Sequence, residues 1–308
     1  MSFVTLSATN TSLIRAALIA SLDVVPVFWR HPRVSQPTGP LTLLPLYVSV
    51  GGILLALNGH PTSSIEGVTL SIMVLRRLLS RPLSRSWPKL FGKKENLPFW
   101  LQKLVEGGPL GAGCAKLVHS ALGVFLAACW NPAMLRFCTV GSLWPNSWLP
   151  AVVAGVSLVV NGILFGWSTW QKSRGDHDGV NRMVDSTIGS DLSMKEKFRL
   201  FVWAAVNATA EEVAARGLQR AEFETLLVPY GSDNSNPLLV SNLAQAIVFG
   251  MAHYHGIPSG WTGVALTFVY GLMMGLIADS GGGLLYAIAA HTIADYFIFA
   301  TIARRKVQ

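Results

Sequence analysis

Residues 210–217 read Ala-Glu-Glu-Val-Ala-Ala-Arg-Gly, residues 248–256 read Val-Phe-Gly-Met-Ala-His-Tyr-His-Gly, and residues 280–295 read Ser-Gly-Gly-Gly-Leu-Leu-Tyr-Ala-Ile-Ala-Ala-His-Thr-Ile-Ala-Asp. Each stretch sets ionisable side chains inside an apolar segment. A charge held at membrane depth costs at least ~2.5–3.5 kcal/mol and marks a functional site by default. The bland alternative is a set of hydrogen bonds that glue helices together. A tandem Glu211-Glu212 followed by His253 and His291 in successive segments goes beyond what glue requires.

Working outward, the whole chain reads as a membrane protein. Of 308 residues, 51% are hydrophobic and 13% charged, with a mean hydropathy of +0.44. Soluble domains carry about 25% charged residues. A membrane-spanning helix needs about 20 mostly apolar residues. Segments 110–130, 148–170, 198–218, 238–254, 262–279 and 283–302 meet that demand. Segments 13–30 and 41–58 are weaker, broken by Asp23, Pro26 and Pro45, and 65–79 is short enough to be interfacial. The fold expected is an all-α polytopic transmembrane bundle of roughly seven to eight helices. Residues 1–109 form N-terminal membrane segments and a basic loop, and 110–308 a helical core carrying the three clusters.

The net charge of +8 is not a nucleic-acid signal, because the basic residues gather at the ends of apolar segments. Arg76, Arg77, Arg81, Arg85, Lys89, Lys93, Lys94 and Lys103 fall in 76–103, further basic residues in 171–197, and Arg304, Arg305 and Lys306 at the tail. An even number of helices separates these stretches, so all three share one face, which the positive-inside rule names cytoplasmic. The stretch 76–103 reads as a solvated topogenic loop rather than a dock for anionic lipid or an acidic partner. Cys114, Cys129 and Cys138 have no metal-ligand spacing, which argues against a disulfide framework and a cysteine metal site. Residues 1–22 lack acids and are rich in Ser and Thr. They read as an exposed tail, with a transit peptide as the alternative.

The spacings carry chemistry. Glu212 and Arg216 stand at i, i+4 and share a helix face, so they are expected to pair. Glu211 is rotated about 100° from Glu212 and can face water in a cavity. Phe249 and His253 are also at i, i+4, which sets an aromatic ring one turn below the imidazole. His291 and Asp295 repeat the spacing, so Asp295 can orient His291 or join the site directly. Peptide hydrolysis needs an activated water, a base and oxyanion stabilisation. Glu211 is the natural base. His253 and His291 then have two readings: zinc ligands together with a carboxylate such as Glu211, or metal-free stabilisers of the oxyanion. His255 reads as a loop or cavity-mouth residue, His119 as a packed polar residue, and His31, His60 and His177 as loop residues.

In that order, on membrane helices, Glu-Glu-x-x-x-Arg, Phe-x-x-x-His and His-x-x-x-Asp resemble the motifs of the CAAX protease and bacteriocin-processing family of intramembrane proteases, which includes the type II CAAX prenyl endopeptidases. Phe249-Gly250-Met251-Ala252-His253 is similar to the family's Phe-Gly-x-Ala-His, and Gly281–Gly283 resemble its turn before the second histidine. The resemblance covers roughly residues 150–302. It implies that Glu211 activates water, that Glu212 and Arg216 complete the first motif, and that His253 and His291 are the two essential histidines. Asp295 stands where many relatives have Asn. The activity implied is an intramembrane endopeptidase acting on a protein or peptide, prenylated in the CAAX branch. Its membrane would be the endoplasmic reticulum for a eukaryotic CAAX-processing enzyme, otherwise the plasma or a plastid membrane. A catalytically silent scaffold of the same family and an ion-coupled transporter are the competing readings; no paired broken helices favour the transporter.

Overall fold

A computed structural model describes residues 109–141, 193–227, 237–254 and 260–305, with scattered single positions elsewhere, including helical ones between 151 and 163. The expected spans at 13–30, 41–58 and 65–79, the basic stretch 76–103, most of the loop 171–197, and His31, His60, His177 and His255 lie outside the described residues. Among the described residues the named elements are all helical. They are α1 (Pro109–Trp130), a short 3-10 helix (Pro132–Phe137), α2 (Met194–Glu212), a π-helix (Val213–Gln219), α3 (Arg220–Leu227), α4 (Pro237–Ala252), α5 (Gly260–Gly281) and α6 (Leu285–Arg305).

The segments 110–130, 238–254, 262–279 and 283–302 become helices where expected, but 198–218 does not remain one α-helix. The α-helical ladder ends at Glu212 and continues as a π turn, of which 215–219 are buried. Wide turns of this kind are frequent at functional sites. Here the change falls inside Glu-Glu-x-x-x-Arg, where hydropathy cannot register it.

Punctuation elsewhere follows ordinary rules. Pro109 and Pro132 stand at first helical positions, where the missing N–H is not needed. The Gly281–Gly283 run closes α5. Gly282 has φ +65°, its N–H donates to Asp279 O at 3.2 Å, and Gly283 N–H donates to Ala278 O at 2.9 Å. That pair of bonds around a left-handed glycine is a Schellman cap. A Cβ at Gly141 would meet Gly281 O at 2.9 Å, and Leu285 N–H donates to Val140 O at 2.9 Å. The start of α6 is therefore tied to the strap at 140–141.

By packing, the chain falls into two units. The first holds Leu122–Thr139 and Ala215–Leu272. In it, α4 and α5 approach closely. A Cβ at Gly250 would meet Val264 O at 2.8 Å, and one at Gly271 would meet Ala246 Cβ at 3.2 Å. Small residues at such crossings are how membrane helices gain packing. Gln245 Nε2 donates to Gly271 O at 3.1 Å and Asn242 Nδ2 to Leu272 O at 3.2 Å. The second unit holds Ser80–Ala121, Val140–Ala214 and Met273–Gln308. Its core is the face between α2 and α6, where Trp203 stacks on Phe299 with centroids 3.8 Å apart over buried Leu200 and Ala300.

Outward faces are apolar. Val152, Val156, Val159 and Ile163 are all exposed at helical spacing, and Phe198, Phe201, Phe297, Leu239, Leu243 and Ile247 are exposed as well. Soluble monomers rarely leave such surface uncovered. By length and composition α5 can cross a membrane, and Leu238–Ala252 and Leu285–Ala300 are shorter apolar helices.

Candidate active site

α2 and α6 run antiparallel in a fixed register. Trp203 meets Phe299, Asn207 meets Asp295, and Glu211 meets His291. Each step of four up α2 is answered by a step of four down α6. Residues four apart share a helix face, so one stripe on each helix passes from aromatic packing to polar chemistry. Both ends of His-x-x-x-Asp and the acids of Glu-Glu-x-x-x-Arg thus meet in the second unit.

His291 is the centre of that cluster and is buried. Its Nδ1–H donates to Glu212 Oε1 at 2.7 Å, and Glu212 is wholly buried. A carboxylate at one ring nitrogen fixes the orientation and tautomer of an imidazole and sets what the other nitrogen does. That other nitrogen, Nε2, lies 3.6 Å from Glu211 Oε2 and 3.6 Å from Asp295 Oδ1. The group that orients Nδ1 is therefore Glu212, while Asp295 joins the site on the Nε2 side. Burial is graded: the Glu211 side chain is 12% exposed while that of Glu212 has no exposure. Of the tandem acids, Glu211 is the one a water can reach.

Two residues that sequence reasoning passed over complete the cluster. Lys116 on α1 forms an ion pair with Glu211 and donates to Asn207 Oδ1 at 2.7 Å. Asn207 Nδ2 donates to Asp295 Oδ2 at 2.8 Å and to Glu211 Oε1 at 3.4 Å. One turn along α1, Ser120 Oγ donates to Ala210 O at 2.7 Å. A signal for Lys116 did exist: it is the one lysine or arginine within the apolar segment 110–130.

The remaining motif residues, Arg216, Phe249 and His253, belong to the first unit. The Arg216 guanidinium lies 4.1 Å from the Phe249 ring centroid, and the Phe249 and His253 rings are 4.5 Å apart. The guanidinium and the imidazole thus both contact the Phe249 ring, the two rings tilted by 51°. A cation on an aromatic face is favourable when desolvated, and Arg216 is wholly buried. His253 Nδ1–H donates to Phe249 O at 2.7 Å, since a carbonyl can only accept. The expected aromatic ring one turn below the imidazole is present.

A zinc site needs three converging protein donors plus water. Among the described residues no three His, Cys, Asp or Glu side chains are arranged to hold one ion. Of the residues expected as zinc ligands, His253 belongs to the first unit and Glu211 and His291 to the second.

Helical elements with apolar outward faces suit a membrane-associated helical protein. Residues 194–297 match the family model described as Type II CAAX prenyl endopeptidase Rce1-like, the family grouping that the three motifs resemble. The matched stretch runs from the start of α2 into α6 and carries all three motifs. It supports a protease with a protein or peptide substrate. No curated protein and no solved structure matches the chain.

Proposed function

We propose that the chain is an intramembrane endopeptidase that hydrolyses a peptide bond near the membrane face with a glutamate-activated water, and that its substrates include prenylated CAAX-type proteins. The observation that carries this reading is the Glu211–His291–Glu212 arrangement. One acid is reachable by water, the other holds the imidazole, and the imidazole presents Nε2 to the first acid. Glu211 takes the proton of the attacking water, which adds to the scissile carbonyl. His291 stabilises the developing oxyanion, and the protonated Glu211 passes its proton to the leaving amine as the C–N bond breaks. Asp295 flanks His291 on the Nε2 side. His253, from the second motif, is assigned to oxyanion stabilisation. Arg216 on Phe249 serves structure.

The surrounding architecture in this reading is a multi-pass bundle of seven to eight helices, with residues 110–308 as the core. Its membrane is the endoplasmic reticulum for a eukaryotic CAAX-processing enzyme, otherwise a plasma or plastid membrane. The test is cleavage of a panel of prenylated and unprenylated peptides by purified protein and by Glu211→Ala. Cleavage by the native protein alone supports the reading. Cleavage of none of the panel, or equal cleavage by both proteins, overturns it.

A further inference from the structure

We propose that Lys116 and Asn207 form a positioning clamp that holds Glu211 in its working orientation, a role that rests on the proteolytic reading above. Neither residue lies in the three motifs, and Lys116 lies outside the stretch that matches the family.

The charge inventory shows why a clamp is needed. Glu211, Glu212 and Asp295 gather around one imidazole. Like charges at this spacing repel, and an unpaired carboxylate away from water is costly. His291 can offset one of the three. The Lys116 ammonium brings a second cation, and it lands on the acid assigned as base.

Geometry makes the contact more than a surface ion pair. Lys116 donates to Asn207 as well as to Glu211, so its ammonium is fixed by two acceptors on successive turns of α2. Asn207 in turn donates to both Asp295 and Glu211. One carboxamide thus accepts from the cation and spaces two acids. The third fixture is Ser120 on Ala210 O. Lys116 and Ser120 are i, i+4 on α1, so the same face that delivers the ammonium is pinned to α2 beside Glu211. Lys116 is 45% exposed at its side chain. Its methylene stem can lie along apolar surface while the head stays wet, so the clamp sits at the approach to Glu211.

The clamp acts through Glu211 and touches no reacting atom. Its loss should lower turnover and leave substrate affinity nearly unchanged. A misplacement of about 1 Å at a reacting group can cost on the order of 10²-fold. Lys116→Met and Asn207→Ala should each reduce kcat by about 10–100-fold with KM within about twofold. Lys116→Arg, which keeps a cation and its donors, should recover most of the turnover. Native kcat in Lys116→Met, or a loss confined to KM, overturns the clamp.

A second readout needs no activity. In thermal unfolding, Lys116→Met and Glu211→Ala should be non-additive, because either one alone breaks the same contact. Additive shifts overturn the clamp whether or not any peptide is cleaved. Non-additive shifts with no cleavage by the native protein would keep the clamp and sink the protease reading instead.

Discussion

Replacing Glu212 by Gln tests how the central imidazole is held. The side chain keeps its shape, and its carboxamide oxygen can still accept from His291 Nδ1–H. What is lost is the charge on the acceptor of a 2.7 Å bond between two buried groups. Hydrogen bonds to charged groups contribute about 1.5–3 kcal/mol net, neutral ones about 0.5–1.5. The difference is about 1–1.5 kcal/mol, and each 1.36 kcal/mol off or onto a barrier is tenfold in rate. Glu212→Gln should therefore lower kcat by about tenfold while the protein stays folded. Glu212→Ala leaves the imidazole nitrogen buried without its acceptor, at about 1–3 kcal/mol, and should lower both turnover and thermal stability. The assay is turnover of a prenylated peptide by purified protein in lipid nanodiscs, with unfolding temperature followed alongside. A Glu212→Gln protein within twofold of native turnover, beside an inactive His291→Ala protein, would refute a role for the Glu212 charge.

Arg216→Ala should lower yield and unfolding temperature as well as activity, because Arg216 is buried on the Phe249 ring; a fully stable but inactive variant would make Arg216 a substrate contact. Gly250→Ala should destabilise by about 1–3 kcal/mol, read by thermal unfolding, since its Cβ would meet backbone Val264 O at 2.8 Å. Activity should survive stringent chelation. Loss on chelation with recovery on added zinc would show a metal held by His253, His291 and Glu211 and would replace the mechanism above.

Much of this was legible in the residues. The segments 238–254, 262–279 and 283–302 correspond to α4, α5 and α6 within a few residues, because long apolar runs in helical register have few alternatives. Gly281–Gly283 stood out as a turn, and Gly282 does adopt the left-handed conformation. Spacing showed that His291 and Asp295 share a face; His291 meets Glu211 and Glu212, and Asp295 lies beside His291. Spacing could not show which acid takes which nitrogen, since that depends on the register of α2 against α6. The π turn after Glu212 was hidden for a similar reason: apolar periodicity cannot tell a four-residue from a five-residue hydrogen-bond ladder over two turns. Lys116 and Asn207 were missed because their partners lie on other turns and other helices, although Lys116 carried the mark of a charge within an apolar segment.

The central claim is that Glu211 activates the water that cuts the peptide. Single-turnover cleavage of a prenylated peptide, with products identified by mass spectrometry, measures this directly for the native protein and Glu211→Gln. Glu211→Gln preserves size and hydrogen bonding but cannot take a proton, and loss of general-base catalysis typically costs about 10²–10⁴-fold. The account predicts one cut by the native protein and a rate lower by that factor in the folded variant. A Glu211→Gln protein that cuts the same bond at the native rate would contradict it.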